Sequence, residues 1–503
     1  MKKLKRIFAL VLAAAMVLAM NLTAFAEETM YTITAPDNTH TYEVYQIFTG
    51  DYHNDVLSNI KWGQNGTGVE GEAVDSSIID ELTGATSSDT QKLTVIEKYV
   101  NLKSKALDTV SNGSTLKVPG GYYLIKDVDN ALDGKNDAYT LYIVQVAGDV
   151  TITPKAKVPE FEKKVQDIND TNDIAVSGDG WHERASAWQD SADWDIGDKV
   201  PFQLKGTVAD NYADYTKYKF IFHDHQSAGL TFDSTSVKVY VDGAEIKSGY
   251  NVVTTGLEDD GCTFEVVFDD LKGITSVHAD SVITVEYQSE LNEKAVIGSA
   301  GNTNTADLEF SNNPNDKQGG ETGTTPDDTV IVFTYKTVID KVDGQNRSLA
   351  GAAFKLEKKL QDGSWKVVKE YTVDEETGLP SDSEITKFEF TGLDDGTYKL
   401  TETATPAGYN TIDPIEFSIT AEHEIKSDNP TLTSLNGTKV SGEISFTAKN
   451  DEGALTANVV NKSGLELPKT GGIGTTVFYI LGGILVIGAS VVLIVRRRMN
   501  TDK

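Results

Sequence analysis

Three polar residues stand in phase with apolar neighbours along strand-like runs. Lys341 alternates with Phe333, Tyr335 and Ile339, Glu402 with Tyr398 and Leu400, and Asn461 with Val459. Residues two apart on a strand share a face, so all three are expected to point inward. Burial is costly for an ammonium or a carboxylate and pushes both toward their neutral forms. A neutral amine can attack an amide carbon, while a protonated carboxyl hydrogen-bonds the carbonyl and relays protons as ammonia leaves. A second set has the same phase: Lys163 goes with Phe161 and Val165, Asp224 with Phe220 and Phe222, and Asn312 with Leu308 and Phe310. That alternation favours Lys163 and Asn312 over their neighbours Lys164 and Asn313.

Other constellations carry less. His223 and His225 flank Asp224 in the opposite phase, so they are expected to face solvent, and no third metal ligand is apparent in the sequence. The run Asp167-Ile168-Asn169-Asp170-Thr171-Asn172-Asp173 lacks the glycine and terminal Glu of an EF-hand and is read as a solvated acidic loop. There is no nucleophile elbow, metal motif or phosphate loop, and the seven histidines are scattered. A conventional enzyme, a bound metal and a cofactor are therefore not expected.

The elements that position these residues are mostly strands. Short β-branched and aromatic runs bounded by Gly, Asn, Asp and Ser recur, among them 139–146, 236–241, 262–268, 281–287 and 330–339. Such runs argue for β-sandwich domains. One helical stretch is expected over 93–107, from the loose recurrence of Val95, Ile96, Val100 and Leu102. A chain of 503 residues is long enough for about three domains. The proline-containing stretch 151–159 and the polar, Gly-rich stretch 315–326 divide it into 27–156, 157–320 and 321–466. The formal charge is -31, and removing the net +7 of the two basic ends leaves -38 between them, which disfavours a nucleic-acid partner. The one cysteine, Cys262, excludes an intramolecular disulfide.

The ends place the chain. Residues 1–26 have a basic start, an apolar run and the small-x-small sequence Ala24-Phe25-Ala26, which reads as a secretory signal peptide cleaved after Ala26. Residues 467–503 contain Leu467-Pro468-Lys469-Thr470-Gly471, an apolar run Val477–Val495 and then Arg496-Arg497-Arg498. About 19 residues at 1.5 Å rise span about 28 Å, enough for one transmembrane crossing with the arginines on the cytoplasmic side. This order resembles the LPxTG sorting signal of Gram-positive surface proteins. The resemblance implies that a sortase cysteine attacks the Thr470 carbonyl, releases Gly471 onward and passes the acyl group to an amine.

Two further resemblances assign roles. Lys341-Val342-Asp343-Gly344, Leu349-Ala350-Gly351-Ala352-Ala353-Phe354, the segment Tyr398-Lys399-Leu400-Thr401-Glu402-Thr403-Ala404-Thr405-Pro406-Ala407-Gly408-Tyr409, and Val459-Val460-Asn461 together resemble the collagen-adhesin B-type domain. It implies Lys341 as nucleophile, Asn461 as acceptor and Glu402 as the acid joining them in an isopeptide bond. Phe161-Glu162-Lys163-Lys164-Val165, His223-Asp224, Gly229-Leu230-Thr231-Phe232 and the stretch Asn304-Thr305-Ala306 through Asn312-Asn313-Pro314 resemble the fimbrial isopeptide-forming D2 family. Its bond would join Lys163 to Asn312 with Asp224 as catalyst. Thr153-Pro154-Lys155 is similar to the Tyr-Pro-Lys of backbone pilins, making Lys155 the expected intersubunit nucleophile and Lys157 its nearest competitor.

The resemblances together imply an all-β chain of tandem immunoglobulin-like, collagen-adhesin-type sandwiches. It would be secreted, wall-anchored and built into a pilus that supports adhesion, with Thr470 of one subunit joined to Lys155 of the next. The implied partners are a pilus-class sortase, identical subunits head to tail, tip and base pilins, and a housekeeping sortase with peptidoglycan. The alternative is a monomeric wall-anchored adhesin using the same domains as a stalk.

Overall fold

The computed structural model describes residues 29–464 and 473–499, apart from 55, 85–88, 141, 147, 155–156, 172–186, 258–260 and 375. Ala26, Lys155 and the sorting motif Leu467 to Gly471 lie outside the described residues.

Three sandwiches follow one another along the chain, each with a pair of sheets. In the first, Met30–Thr34 lies between Thr115–Pro119 and Val150–Thr151, and a second sheet runs Val56–Trp62, Thr41–His53, Gly121–Asp127, Ile143–Val146, with Asp108–Ser111 also paired to Thr41–His53. Two short helices, Ser76–Gly84 and Asp89–Ile96, pack beside it. The helix expected over 93–107 stops at Ile96. Beyond it the backbone pairs with another loop, Thr67 N–H donating to the Tyr99 carbonyl at 3.0 Å and Asn101 N–H to the Asn65 carbonyl at 2.8 Å. Leu93, Ile96 and Val100 are buried all the same, so the apolar recurrence reported core positions and not a continuous helix.

The second sandwich sets the sheet Ala244–Ile246, Leu230–Val241, Val282–Leu291, Lys199–Thr207, Glu160–Val165 against a larger one built on Asn302–Ser311 and Phe220–Gln226. That larger sheet extends past residue 320. Thr322–Thr324 pairs with Glu309–Ser311, while Asp328–Phe333 pairs with Asn302–Ala306 and, in parallel, with Ser191–Asp193. The expected cut at 320 therefore runs through a sheet. The polar stretch contains an edge strand, and Val330 and Val332 are fully buried in the second core. The single strand expected over 330–339 is two strands of different sandwiches, parted at Thr334.

Tyr335–Asp343 opens the third sandwich and lies parallel to Ala454–Asn461, its last strand, with Lys387–Leu393 on the other side. The facing sheet runs Trp365–Glu370, Ala353–Lys359, Gly396–Ala404, Ile415–His423, Leu432–Ser441. With one residue between the sheets, the second and third sandwiches abut, each on its own apolar core, and charged groups fill the junction. Lys358, fully buried, sits among Asp195, Asp394 and Asp170; Asp195 Oδ2 is 2.9 Å and Asp170 Oδ2 3.4 Å from its Nζ. Burial works against the ammonium, but these carboxylates outweigh it and hold Lys358 protonated. Beside it His423 Nε2 lies 3.5 Å from Asp167 Oδ2 and 3.8 Å from Asp193 Oδ1, and Ser191 Oγ is 2.7 Å from Nδ1. The expected solvated loop is thus corrected at Asp167 and Asp170, which turn into this junction.

Lys358→Ala should cost about 3–5 kcal/mol, because it leaves buried carboxylates without their cation. The check is denaturant unfolding, with protease cleavage near Thr334 accelerated. Burial works to lower the His423 pKa, but Asp167 and Asp193 prevail and push it up to about 10. A raised histidine pKa stabilises fully below the unfolded value of about 6.5 and loses its contribution as pH rises through the folded one. Thermal unfolding should therefore show stability falling between about pH 7 and pH 10. His423→Gln should flatten that decline.

The C-terminal helix Ile473–Met499 carries exposed apolar side chains, including Ile484, Leu485, Ile487 and Leu493. The sequence run Val477–Val495, on which the spanning assignment rests, lies wholly within this helix.

Candidate functional site

The third sandwich brings its three predicted residues together between the sheets. In the parallel pairing Lys341 sits opposite Val459 and Asp343 opposite Asn461, so Lys341 and Asn461 are diagonal neighbours on one face. Gly396–Ala404 alternates buried and half-buried positions and delivers Glu402 from the facing sheet. Asn461 Nδ2 donates to both Glu402 oxygens, at 2.9 and 3.1 Å, and to the Asn410 carbonyl at 3.0 Å. Glu402 Oε2 also accepts from Thr405 Oγ1 and Ile412 N, both at 3.2 Å. Lys341 and Asn461 are fully buried, and the Asn461 carbonyl oxygen has no hydrogen-bond donor. Lys341 Nζ contacts the Val459 carbonyl at 3.2 Å and the Val342 carbonyl at 3.3 Å. Burial lowers its pKa to about 8 against the opposing pull of Glu402 and Asp343, so a usable fraction of free amine exists near neutral pH.

The second sandwich assembles Lys163, Asp224 and Tyr287, all fully buried. Lys163 Nζ is 2.5 Å from Asp224 Oδ2 and donates to Tyr287 Oη at 3.0 Å; Tyr287 Oη donates to the same carboxylate oxygen at 2.5 Å. Gln226 Nε2 reaches Asp224 Oδ1 at 3.2 Å. Burial, with the Phe202 and Tyr287 rings within 6 Å of Nζ, lowers the Lys163 pKa against the pull of Asp224. Lys164 points the other way and pairs with Asp190 at 2.6 Å.

Asn312 does not join this group. Its amide donates to the carbonyls of Leu132 at 3.0 Å and Asp137 at 3.3 Å, both in the first sandwich. Pairing explains why: Asp224 is opposite Ala306, and Asn312, six residues further on, lies about 20 Å along the strand. Asn304 lies two residues from Ala306, opposite Gln226, and donates to Tyr287 Oη at 2.9 Å. It is fully buried and its carbonyl oxygen has no donor, as with Asn461. Asn304 has the same strand phase as Asn312, so alternation could not separate them; register can.

Three segments match known families. Residues 196–314 match the family described as Gram-positive pilin backbone subunit 2, Cna-B-like domain; 336–431 match the SpaA prealbumin-like fold domain; and 460–501 match the LPXTG cell wall anchor motif. The chain is similar to the trypsin-resistant surface T6 protein of Streptococcus pyogenes serotype M6, 24% identical over 416 residues that cover 69% of this chain and 70% of the relative. It also resembles the solved T6 backbone pilin of the same serotype, which has a modular three-domain structure, with 17% identity, 88% of this chain and 100% of that chain covered, and a TM-score of 0.52. That likeness shows the fold. The full-length major pilin SpaD of Corynebacterium diphtheriae aligns at 15% identity over 88% of this chain and 98% of that one, with a TM-score of 0.48.

Proposed function

We propose that the chain, which bears a cell wall anchor motif, is a backbone subunit of a Gram-positive surface pilus, that sortase joins Thr470 of one subunit to Lys155 of the next, and that the second and third sandwiches seal themselves with amide bonds. The observation that carries this reading is the twice-repeated buried set of lysine, carboxyl and asparagine, each joining an early strand of its sandwich to a later one.

In the third sandwich the neutral Lys341 amine attacks the Asn461 side-chain carbon. Glu402, already hydrogen-bonded to that amide, relays a proton to the leaving nitrogen, and ammonia departs as the Lys–Asn amide forms. In the second sandwich Lys163 attacks Asn304, Asp224 has the role of Glu402, and Tyr287 bridges acid and amide. Each bond forms once per chain, so the protein is the product of its own chemistry and the substrate of a sortase. The run Val477–Val495 would hold the precursor at the membrane until transfer, and the finished fibre would support adhesion.

Wall extracts boiled in reductant test the polymer. A ladder of covalent multimers is expected, and one wall-linked band would favour a monomeric adhesin using the same sandwiches as a stalk.

A further inference from the structure

The strand Phe220–Gln226 aims Asp224 into the second core, and its other face carries chemistry that the crosslink does not use. His223 and His225 project there, half-buried. Within the strand they have no third partner, but the neighbouring strand brings one. Pairing of His223 with Glu265 and of Asp224 with Phe264 lays the start of Phe264–Phe268, with Cys262 just before it, alongside the two imidazoles. Cys262 Sγ lies 3.5 Å from His223 Nδ1 and 3.5 Å from His225 Nε2. Glu265 Oε1 is 3.0 Å from His223 Nδ1.

These separations can be compared with a metal's coordination polyhedron. Zinc bonds of about 2.3 Å to sulfur and about 2.0–2.1 Å to nitrogen or oxygen, at tetrahedral angles, put sulfur and nitrogen about 3.6 Å apart and nitrogen and oxygen about 3.4 Å apart. Both sulfur–nitrogen edges are already at that length. The nitrogen–oxygen edge needs to open by only a few tenths of an ångström.

The surroundings suit a cation. His223 Nε2 lies 3.2 Å from Glu309 Oε2, and Glu309 is itself held by Lys219 at 2.9 Å. With an Nε2–H donated to Glu309, Nδ1 is the nitrogen that faces Cys262 and Glu265 and would give up its proton to an incoming ion, the arrangement in which a carboxylate orients a ligating imidazole from behind. Asp307, opposite His223 on the next strand, stands 3.9 Å from His225 Nε2 and adds negative charge. Side-chain exposures of 15% for His223 and 35% for His225 leave a way in.

We propose that His223, Cys262 and Glu265 form a binding site for a zinc-class divalent transition ion on the outer face of the second sandwich, with His225, 3.5 Å from Cys262 Sγ, turning in as the fourth ligand. One sulfur, two nitrogens and one oxygen select such an ion over calcium or magnesium, which take oxygen ligands. On binding, the thiol gives up its proton and the ion ties Phe220–Gln226 to Phe264–Phe268 on the face opposite Asp224.

Cobalt(II) is the probe. The reduced full chain should bind one equivalent with a thiolate-to-cobalt charge-transfer absorption, and zinc should displace it. Cys262→Ser should abolish the absorption, and His225→Ala should weaken binding while circular dichroism stays native. Glu309→Gln, which does not touch the ion, should keep the absorption and lower affinity about 10–100-fold. The site is overturned if the wild-type chain shows no thiolate absorption, or if Cys262→Ser and His225→Ala bind zinc as the wild type does, which would mean an adventitious surface ion only. Neither result depends on whether the chain polymerises.

Discussion

Changing Lys155 to alanine should collapse the multimer ladder of wall extracts to a single monomeric species, with secretion and folding intact. Polymer growth needs one amine for each incoming Thr470 acyl group: Nζ attacks the sortase thioester carbon, the amide forms and the sortase thiol leaves. No other residue can stand in if Lys155 is that amine, so the effect is all or none. The chain leaves the first sandwich at Val150–Thr151 and enters the second at Glu160–Val165, and Lys155 falls in the sequence between those two strands. Lys157 is exposed two residues away and makes the control. Lys157→Ala should leave the ladder unchanged, and a ladder that survives Lys155→Ala would move the link elsewhere.

Asn304→Ala should leave the chain only one ammonia lighter than its own sequence mass, and Asn312→Ala should keep a deficit of two. The wild-type chain is expected to be two ammonia lighter than its sequence mass after allowance for processing. Glu402→Ala should restore one ammonia from the third sandwich, and combining it with Asn304→Ala should restore both. Stability should follow the mass. A bond between Lys163 and Asn304 closes a loop of about 140 residues, worth about 5 kcal/mol by the chain-entropy relation for crosslinks. For a domain of this size that corresponds to a fall of about 10–20 °C in the melting temperature of the second sandwich. Calorimetry of the Asn304→Ala and Asn312→Ala chains separates the assignments, since an equal fall in both would show that burial of the amide, and not the bond, matters.

Much of this was legible before any coordinates. Lys341, Glu402 and Asn461 are flanked by apolar residues at a spacing of two, and that period alone places them inside. Lys163 and Asp224 yield to the same argument. Asn304 does not, because alternation says which face a residue occupies and nothing about how far along the strand its partner lies; that distance is set by pairing with a strand some 80 residues earlier. The junction near residue 334 was hidden for a related reason. Val330 through Ile339 is an uninterrupted strand-forming run, and only the competition between two cores divides it. Cys262 and His225 are separated by 37 residues, and their proximity is a property of the sheet.

The two kinds of buried lysine in this chain define a rule of chemoselectivity. Lys163 and Lys358 are both fully enclosed, yet the first ammonium is paired with one carboxylate, Asp224, among aromatic rings, while the other is ringed by Asp170, Asp195 and Asp394. In the first environment burial lowers the lysine pKa, the direction a nucleophilic amine needs; in the second the carboxylates raise it and keep the side chain a counter-ion. If the proposed crosslinks form, the remaining interior amines have to stay inert, and surplus negative charge around Lys358 would act as the protecting group.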